Sequence, residues 1–322
     1  MSRPDSLPRY VAARVLSGFG VLGLLSLITF VGVDLLPGDP VAVRLGGTAT
    51  PERIAELRTA LGLDRPVLLR YGRWCLDAVQ GDFGQSAIGR PVAELISPRL
   101  GNSLFLVLVV LTALVPLSLG LGLLAGSRKG RPTDRVISTV ALGVVSVPEF
   151  VTAAVLVLIV AVGLRWLPAV SSVPAGESPL SSPATLVLPA ISLLLGSLAY
   201  AVRMIRAATI TALRAPWVEF LLLSGWTRMA VARTTVLPAV LPVAVQVWTI
   251  AAVGLAGGTV LVERVFGYPG VGELLVTSTQ TGDLPVVQAI VLMIGVVTLV
   301  ALLVTDLMVK CLWRSGAAEV RV

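Results

Sequence analysis

RAPWVEFLLLSGWTRMAVARTTVLP, residues 214–238, is a charged and locally structured segment lying between two long apolar runs. Pro216 suits the first position of a helix, where its missing N–H costs nothing, and Gly225 supplies the left-handed residue that ends that helix. Thr227 then caps a second helix. The expected local fold is a short helix, a Gly-centred turn and another helix, carrying Arg214, Glu219, Arg228 and Arg233 into Leu237 and Pro238. Between two membrane crossings, such a segment is where the protein can be gripped from outside. An ordinary basic loop is the alternative reading of this stretch taken alone.

The flanking runs decide the class. The chain of 322 residues is 56% hydrophobic and 13% charged, with a mean hydropathy of +0.92. Apolar stretches of about 20 residues recur along it, each long enough to cross a hydrocarbon core of ~30 Å, so the chain is an all-α, polytopic membrane protein. Its formal charge of +7 would suggest nucleic acid in a soluble domain, but no basic patch with interleaved aromatics is present, and topology explains the charge. There is no histidine. That removes the usual metal ligand and the usual general base at neutral pH, and speaks against a metalloenzyme or a His-dependent hydrolase.

Working outward, six spans are expected, at about 10–36, 103–125, 136–164, 184–205, 239–262 and 285–309. The first is too long for a cleavable signal peptide and lacks a small-residue cleavage site, so it reads as retained, stopped by the Pro-Gly-Asp-Pro turn at 37–40. Residues 41–99 are soluble-like and hold two amphipathic helices. One runs from Thr50 and Pro51 to Gly62; the other begins near Pro66, places Val67, Tyr71, Trp74 and Ala78 on one side and ends before Gly81. They can cover the bundle, lie on the membrane interface or dock a partner. The division is therefore an amino end and first span over 1–36, a helical insertion over 37–102, a five-helix core over 103–310 with the loop 206–238 inside it, and a tail over 311–322.

Orientation follows from the positive charge, which is enriched on the cytoplasmic side. The amino end, the turn 127–135, the segment 203–233 and the tail hold fifteen of the 25 basic residues. Both ends and the 214–238 stretch are thus expected in the cytoplasm, and the insertion outside. Cys75 and Cys311 then face opposite compartments and cannot pair. No internal repeat and no G-x-x-x-x-G-K-[ST] phosphate loop occur, so the chain does not hydrolyse ATP by that route.

The spacing of Glu219, Gly225, Leu237 and Pro238 resembles the glutamate-alanine-alanine loop of ABC-importer permeases, with Phe220 and Leu221 in place of the alanines and Thr235 where Ile is usual. Further pieces in order are LLPGDPV (35–41), LGLDRP (61–66), GDFGQS (81–86), RPVAELI (90–96), WLPA (166–169), LPA (188–190), Arg203 with Arg206, and ERVFGYPGVG (263–272). Over essentially its whole length the chain resembles the first permease subunit of dipeptide, oligopeptide and nickel importers. The resemblance implies the type I importer permease fold in a bacterial cytoplasmic membrane. It also implies a second permease subunit, two cytoplasmic ATPases that bind ATP and Mg, and an extracytoplasmic substrate-binding protein. No cofactor, metal or nucleic acid is expected on this chain.

Two sets of site residues follow. Glu219, Gly225, Thr227, Arg228 and Arg233 are expected to couple the permease to the ATPases, as a rigid element that moves with them and carries the neighbouring spans along. Glu219 would hold the loop's geometry or pair with a base. Ser146, Pro148 and Glu149 are expected in the translocation pathway: Pro148 removes a backbone hydrogen bond and bends the span, and Glu149 is an acid at mid-span where the family usually has a small residue. Its alternative is a buried, hydrogen-bonded carboxyl. A secondary transporter would show inverted repeats or paired broken helices, and a membrane enzyme a cluster of polar groups at one depth; neither pattern is evident.

Overall fold

The computed structural model describes residues 7–34, 50, 52, 59, 64–173 and 179–319, with side chains over 12–32, at 50, 52 and 59, and over 64–173 and 179–308. The Pro-Gly-Asp-Pro turn, the first insertion helix and the environment of Cys311 lie outside the described side chains. Among the described residues the chain is helical, with a single isolated bridge between Gln85 and Pro91. Helix α1 spans Leu7–Asp34, α2 Val67–Val79, α3 Val92–Ser127, α4 Pro132–Val145 and α5 Glu149–Leu156, which continues as a π-turn over Val157–Gly163. Helix α6 covers Pro183–Leu213, α7 Pro216–Leu223 and α8 Arg228–Val231; a π-turn, Ala232–Val236, leads into α9, Leu237–Phe266. Helices α10, Val271–Thr281, and α11, Leu284–Glu319, complete the order.

Five helical stretches are long and apolar enough to cross a membrane, and α4 with α5 and its π-turn meets the same test as a pair, giving six. This pair is where the sequence reading needs correction. A continuous span bent at Pro148 was the expectation, whereas α4 stops at Val145 and α5 starts anew at Glu149, at 98° to it. Three residues, Ser146, Val147 and Pro148, make the break. Pro148, at φ −58° and ψ 145°, cannot continue α4 but suits the residue before a new helix.

Helix α3 begins at Val92, upstream of the span expected from about 103. Pro98 and Gly101 look like helix breakers, yet Val92 and Ile96, one turn apart, are buried against Val271, Leu274, Val286 and Ile290. Tertiary packing outweighs the local signal.

The chain divides into two compact units. One comprises Met1–Ser103 with Pro269–Val300. Here α2 lies on α1 through the face anticipated from sequence: Tyr71 and Trp74 rings stand 5.6 and 5.7 Å from that of Phe30, and the Tyr71 hydroxyl is 2.7 Å from Ser26 Oγ. Close approach of α1 and α11 is allowed at Gly295, where an added Cβ would meet Leu25 and Leu22 at 3.0 and 3.1 Å. The loop after α2 is fastened by Ser86, whose buried hydroxyl donates to Asp283, and by the Val92 N–H bonding Gly84 O at 3.0 Å. Arg99 on α3 pairs with Glu273 on α10, and Asn102 Nδ2 donates to Pro269 O at 2.9 Å.

The other unit comprises Leu104–Tyr268 with Ala301–Val322. Its apolar centre gathers Leu106, Val110, Leu188, Leu193, Leu255 and Phe266. Helices α3 and α6 meet along Gly122 and Gly126. A Cβ at Gly122 would stand 2.5 Å from Ile205 Cγ2, and one at Gly126 2.5 Å from Thr209 Cβ. In lipid, helices gain little from apolar burial against one another, so small residues that admit close backbone approach fix the pairing. The Trp248 indole N–H adds a bond to Ser118 Oγ at 2.8 Å.

Candidate functional site

The segment after α6 folds as its end signals dictate. Pro216 occupies the first turn of α7, and the helix closes on a Schellman arrangement in which Gly225 N–H bonds Leu222 O at 3.2 Å and Trp226 N–H bonds Leu221 O at 3.1 Å. Gly225 has φ +88°, the left-handed region that favours glycine. Thr227 caps α8, its Oγ1 accepting from Ala230 N–H at 3.2 Å. Val218, Val231 and Val236 are buried together with Ile205, Val240 and Ala244, which seats the whole turn on the C-terminal part of α6 and the N-terminal part of α9.

What this leaves outward is apolar. Trp217, Phe220 and Leu223, three residues apart along α7, are 58%, 68% and 82% exposed, and Trp226 and Met229 extend the patch. Glu219, Arg228 and Arg233 are exposed as well, and none of them forms an ion pair among the described residues. Internal pairing of Glu219 with a nearby base is therefore not what shapes the loop; the Schellman bonds and the Thr227 cap do that.

The three residues anticipated in the pathway all lie at the α4–α5 break. Ser146 ends α4, its hydroxyl turned back to Leu142 O at 2.8 Å, and Pro148 precedes α5 and accepts from Val151 N–H at 3.0 Å. Glu149 is half-buried, with its side chain set between glycines of two other helices. A Cβ at Gly196 on α6 would touch its Cγ and Oε1 at 3.5 Å, and one at Gly258 on α9 would collide with Oε2. The two glycines make the notch that admits the carboxyl. No base neutralises it among the described residues. Neither glycine was singled out by sequence, because nothing local connects positions 149, 196 and 258.

A polar pair that sequence reasoning did not couple is Asp134 and Arg206. Asp134, at the start of α4 and 3% exposed, accepts from Arg206 Nε at 2.5 Å and Nη2 at 2.8 Å. It also accepts from Gly130 N–H at 2.9 Å and Ser138 Oγ at 3.2 Å. Arg206 was noted, but its partner lies 72 positions away. As for metal, no group of three or more potential ligands is assembled among the described residues.

Comparison with known proteins gives these features a context. The model of the binding-protein-dependent transport system inner membrane component matches residues 118–315, and the model of the N-terminal part of such membrane components matches residues 7–118. A Brucella abortus (strain 2308) protein named as a peptide transport system permease is 32% identical over 290 residues, 88% of this chain and 91% of that one. The glutathione transport system permease protein of Escherichia coli O1:K1 / APEC is 31% identical over 305 residues, 93% and 95% of the two chains. Among solved structures, the MetNI methionine ABC transporter in an inward-facing conformation is similar with a TM-score of 0.56 at 19% identity, covering 68% of this chain and 96% of the matched one. With family models spanning the transmembrane helices and relatives aligned over nearly the full length, the chain belongs to the family of binding-protein-dependent transport system inner membrane components, as a multi-pass permease subunit of an ABC importer with the type I importer permease fold.

Proposed function

We propose that this subunit forms half of a translocation pathway for small peptides, together with a second homologous permease subunit. Two cytoplasmic ATPases that bind ATP and Mg drive it, and an extracytoplasmic binding protein supplies the substrate. The observation that carries this reading is the apolar face of α7, exposed on a rigid turn between two membrane crossings, which suits an ATPase surface. Peptide as cargo is supported by the names of the similar proteins; the glutathione permease among them favours that tripeptide as the second reading, with nickel chelates or another small solute beyond it. Charge distribution supports both termini and α7 lying in the cytoplasm. Reconstituting the chain with its companion subunits and binding protein in vesicles is expected to give ATP-dependent accumulation of di- to tetrapeptides. Accumulation without ATP would refute the importer mechanism, and binding-protein-dependent uptake of another solute alone would refute the cargo.

Glu149 belongs to this proposal as a pathway residue beside Ser146 and Pro148, favouring cationic or amine-bearing substrates. An acid in the hydrocarbon region costs several kcal/mol unless it is paired or wetted, and a break in a span is tolerated only where protein buries the backbone or a water-filled cavity meets it. With Glu149→Gln, uptake of lysine-containing peptides is expected to fall about tenfold relative to glutamate-containing ones, since one lost charge interaction in a desolvated site exceeds 1 kcal/mol. Equal uptake of both classes before and after the substitution would assign the carboxyl a purely structural role.

A further inference from the structure

We infer that the Asp134–Arg206 pair is a positioning element for energy coupling: it clamps the turn before α4 to α6 at the level where α7 is seated, so that a displacement of α7 reaches α3 and α4 as well as α6. The inference rests on α7 being the ATPase-coupling helix. Three observations converge on residues 205–209 of α6. Ile205 is buried in the cluster that holds Val218 of α7, so load on α7 arrives there. Arg206 forks onto Asp134 through Nε and Nη2. Ile205 and Thr209 lie directly on Gly122 and Gly126 of α3, so closely that neither glycine has room for a Cβ. Only Arg214 and Ala215 separate α6 from α7, and both N–H groups bond back to α6, at Thr211 O and Ala212 O, 3.2 Å each.

The chemistry of the clamp suits orientation more than stability. A buried ion pair gains little over an apolar pair of equal volume, because desolvation of two charges offsets their attraction. A bidentate guanidinium–carboxylate contact, however, fixes two planar groups in one mutual orientation, which neither an apolar contact nor a lysine can do. Asp134 has further donors in Gly130 N–H and Ser138 Oγ, so the turn 128–134 is held by the same carboxylate that holds α6. Loss of the fork leaves the helices packed on Gly122 and Gly126 but lets the turn and α4 lag behind α6.

The test uses the complete reconstituted importer and reads substrate transported per ATP hydrolysed. Arg206→Lys and Asp134→Asn, both conservative in size, are expected to keep ATPase subunits bound and ATP hydrolysis within about twofold of the parent, while transport per ATP falls about tenfold, the loss expected when a buried networked pair is broken. An unchanged ratio in Arg206→Lys overturns the inference even if Asp134→Asn does not assemble. A proportional fall of transport and hydrolysis also overturns it, since a merely structural pair lowers both. If the parent complex shows no ATP-driven transport, it is the importer reading that fails, and the two failures are thus told apart.

Discussion

With Gly225→Val, ATP-driven uptake is expected to fall at least about tenfold while the subunit is inserted and recovered at the parent level. The reasoning is local. Gly225 holds φ +88° as the left-handed residue of the Schellman closure of α7. For an L-residue this conformation costs roughly 1–2 kcal/mol, and more for a β-branched side chain. Nothing lies within 4 Å of a Cβ placed there, so neighbours raise no objection and the strain is confined to the backbone. The turn relieves it by giving up the Gly225 and Trp226 N–H bonds, which re-aims α8 against α7. Since each 1.4 kcal/mol is a factor of ten, strain of this size is enough to depopulate the coupled geometry. Gly225→Asn separates this cause from general damage, because asparagine tolerates the left-handed region and is expected to retain most of the transport. Uptake at the parent rate in Gly225→Val would remove the turn from the coupling mechanism.

That turn was legible in the sequence because each of its signals is local: a proline that begins a helix, a glycine that ends it and a threonine that caps the next. The face by which α2 lies on α1 was legible for the same reason, with Val67, Tyr71, Trp74 and Ala78 recurring at helical spacing. Where the reading and the structure part, the cause is tertiary. Helix α3 extends upstream of the span expected from about 103, through Pro98 and Gly101, where Val92 and Ile96 are buried at its start. Pro148 was recognised as a disturbance of the third crossing, but a sequence does not state how far a chain turns at a proline, and here the two helices are bent by 98°. Pairs such as Asp134 with Arg206, and Glu149 with its two glycines, join positions that only folding brings together. Their residue types are ordinary, and no spacing rule marks them.

Loss of the ATPases is the expected outcome of Phe220→Asp combined with Leu223→Asp, measured as co-purification with the detergent-solubilised subunit. Phe220 and Leu223 stand on the outward face of α7, 68% and 82% exposed, with Trp217 and Trp226 beside them. The helix itself is held from its other side by Val218, 2% exposed, so two acids on the outer face leave its seat and the adjoining spans intact. At a protein interface, truncating a central apolar anchor costs on the order of 2 kcal/mol, and burying an unpaired carboxylate in its place adds to that. Two such changes weaken association about a hundredfold or more, beyond what survives purification at micromolar concentration. Glu219→Gln provides the contrast. It removes an exposed charge at the edge of the same face, where an ion pair contributes about 1 kcal/mol or less, and is expected to leave the complex intact. If the doubly substituted subunit retains its ATPases at parent stoichiometry, the apolar face of α7 does not bind them, and the grip on this permease lies elsewhere on its surface.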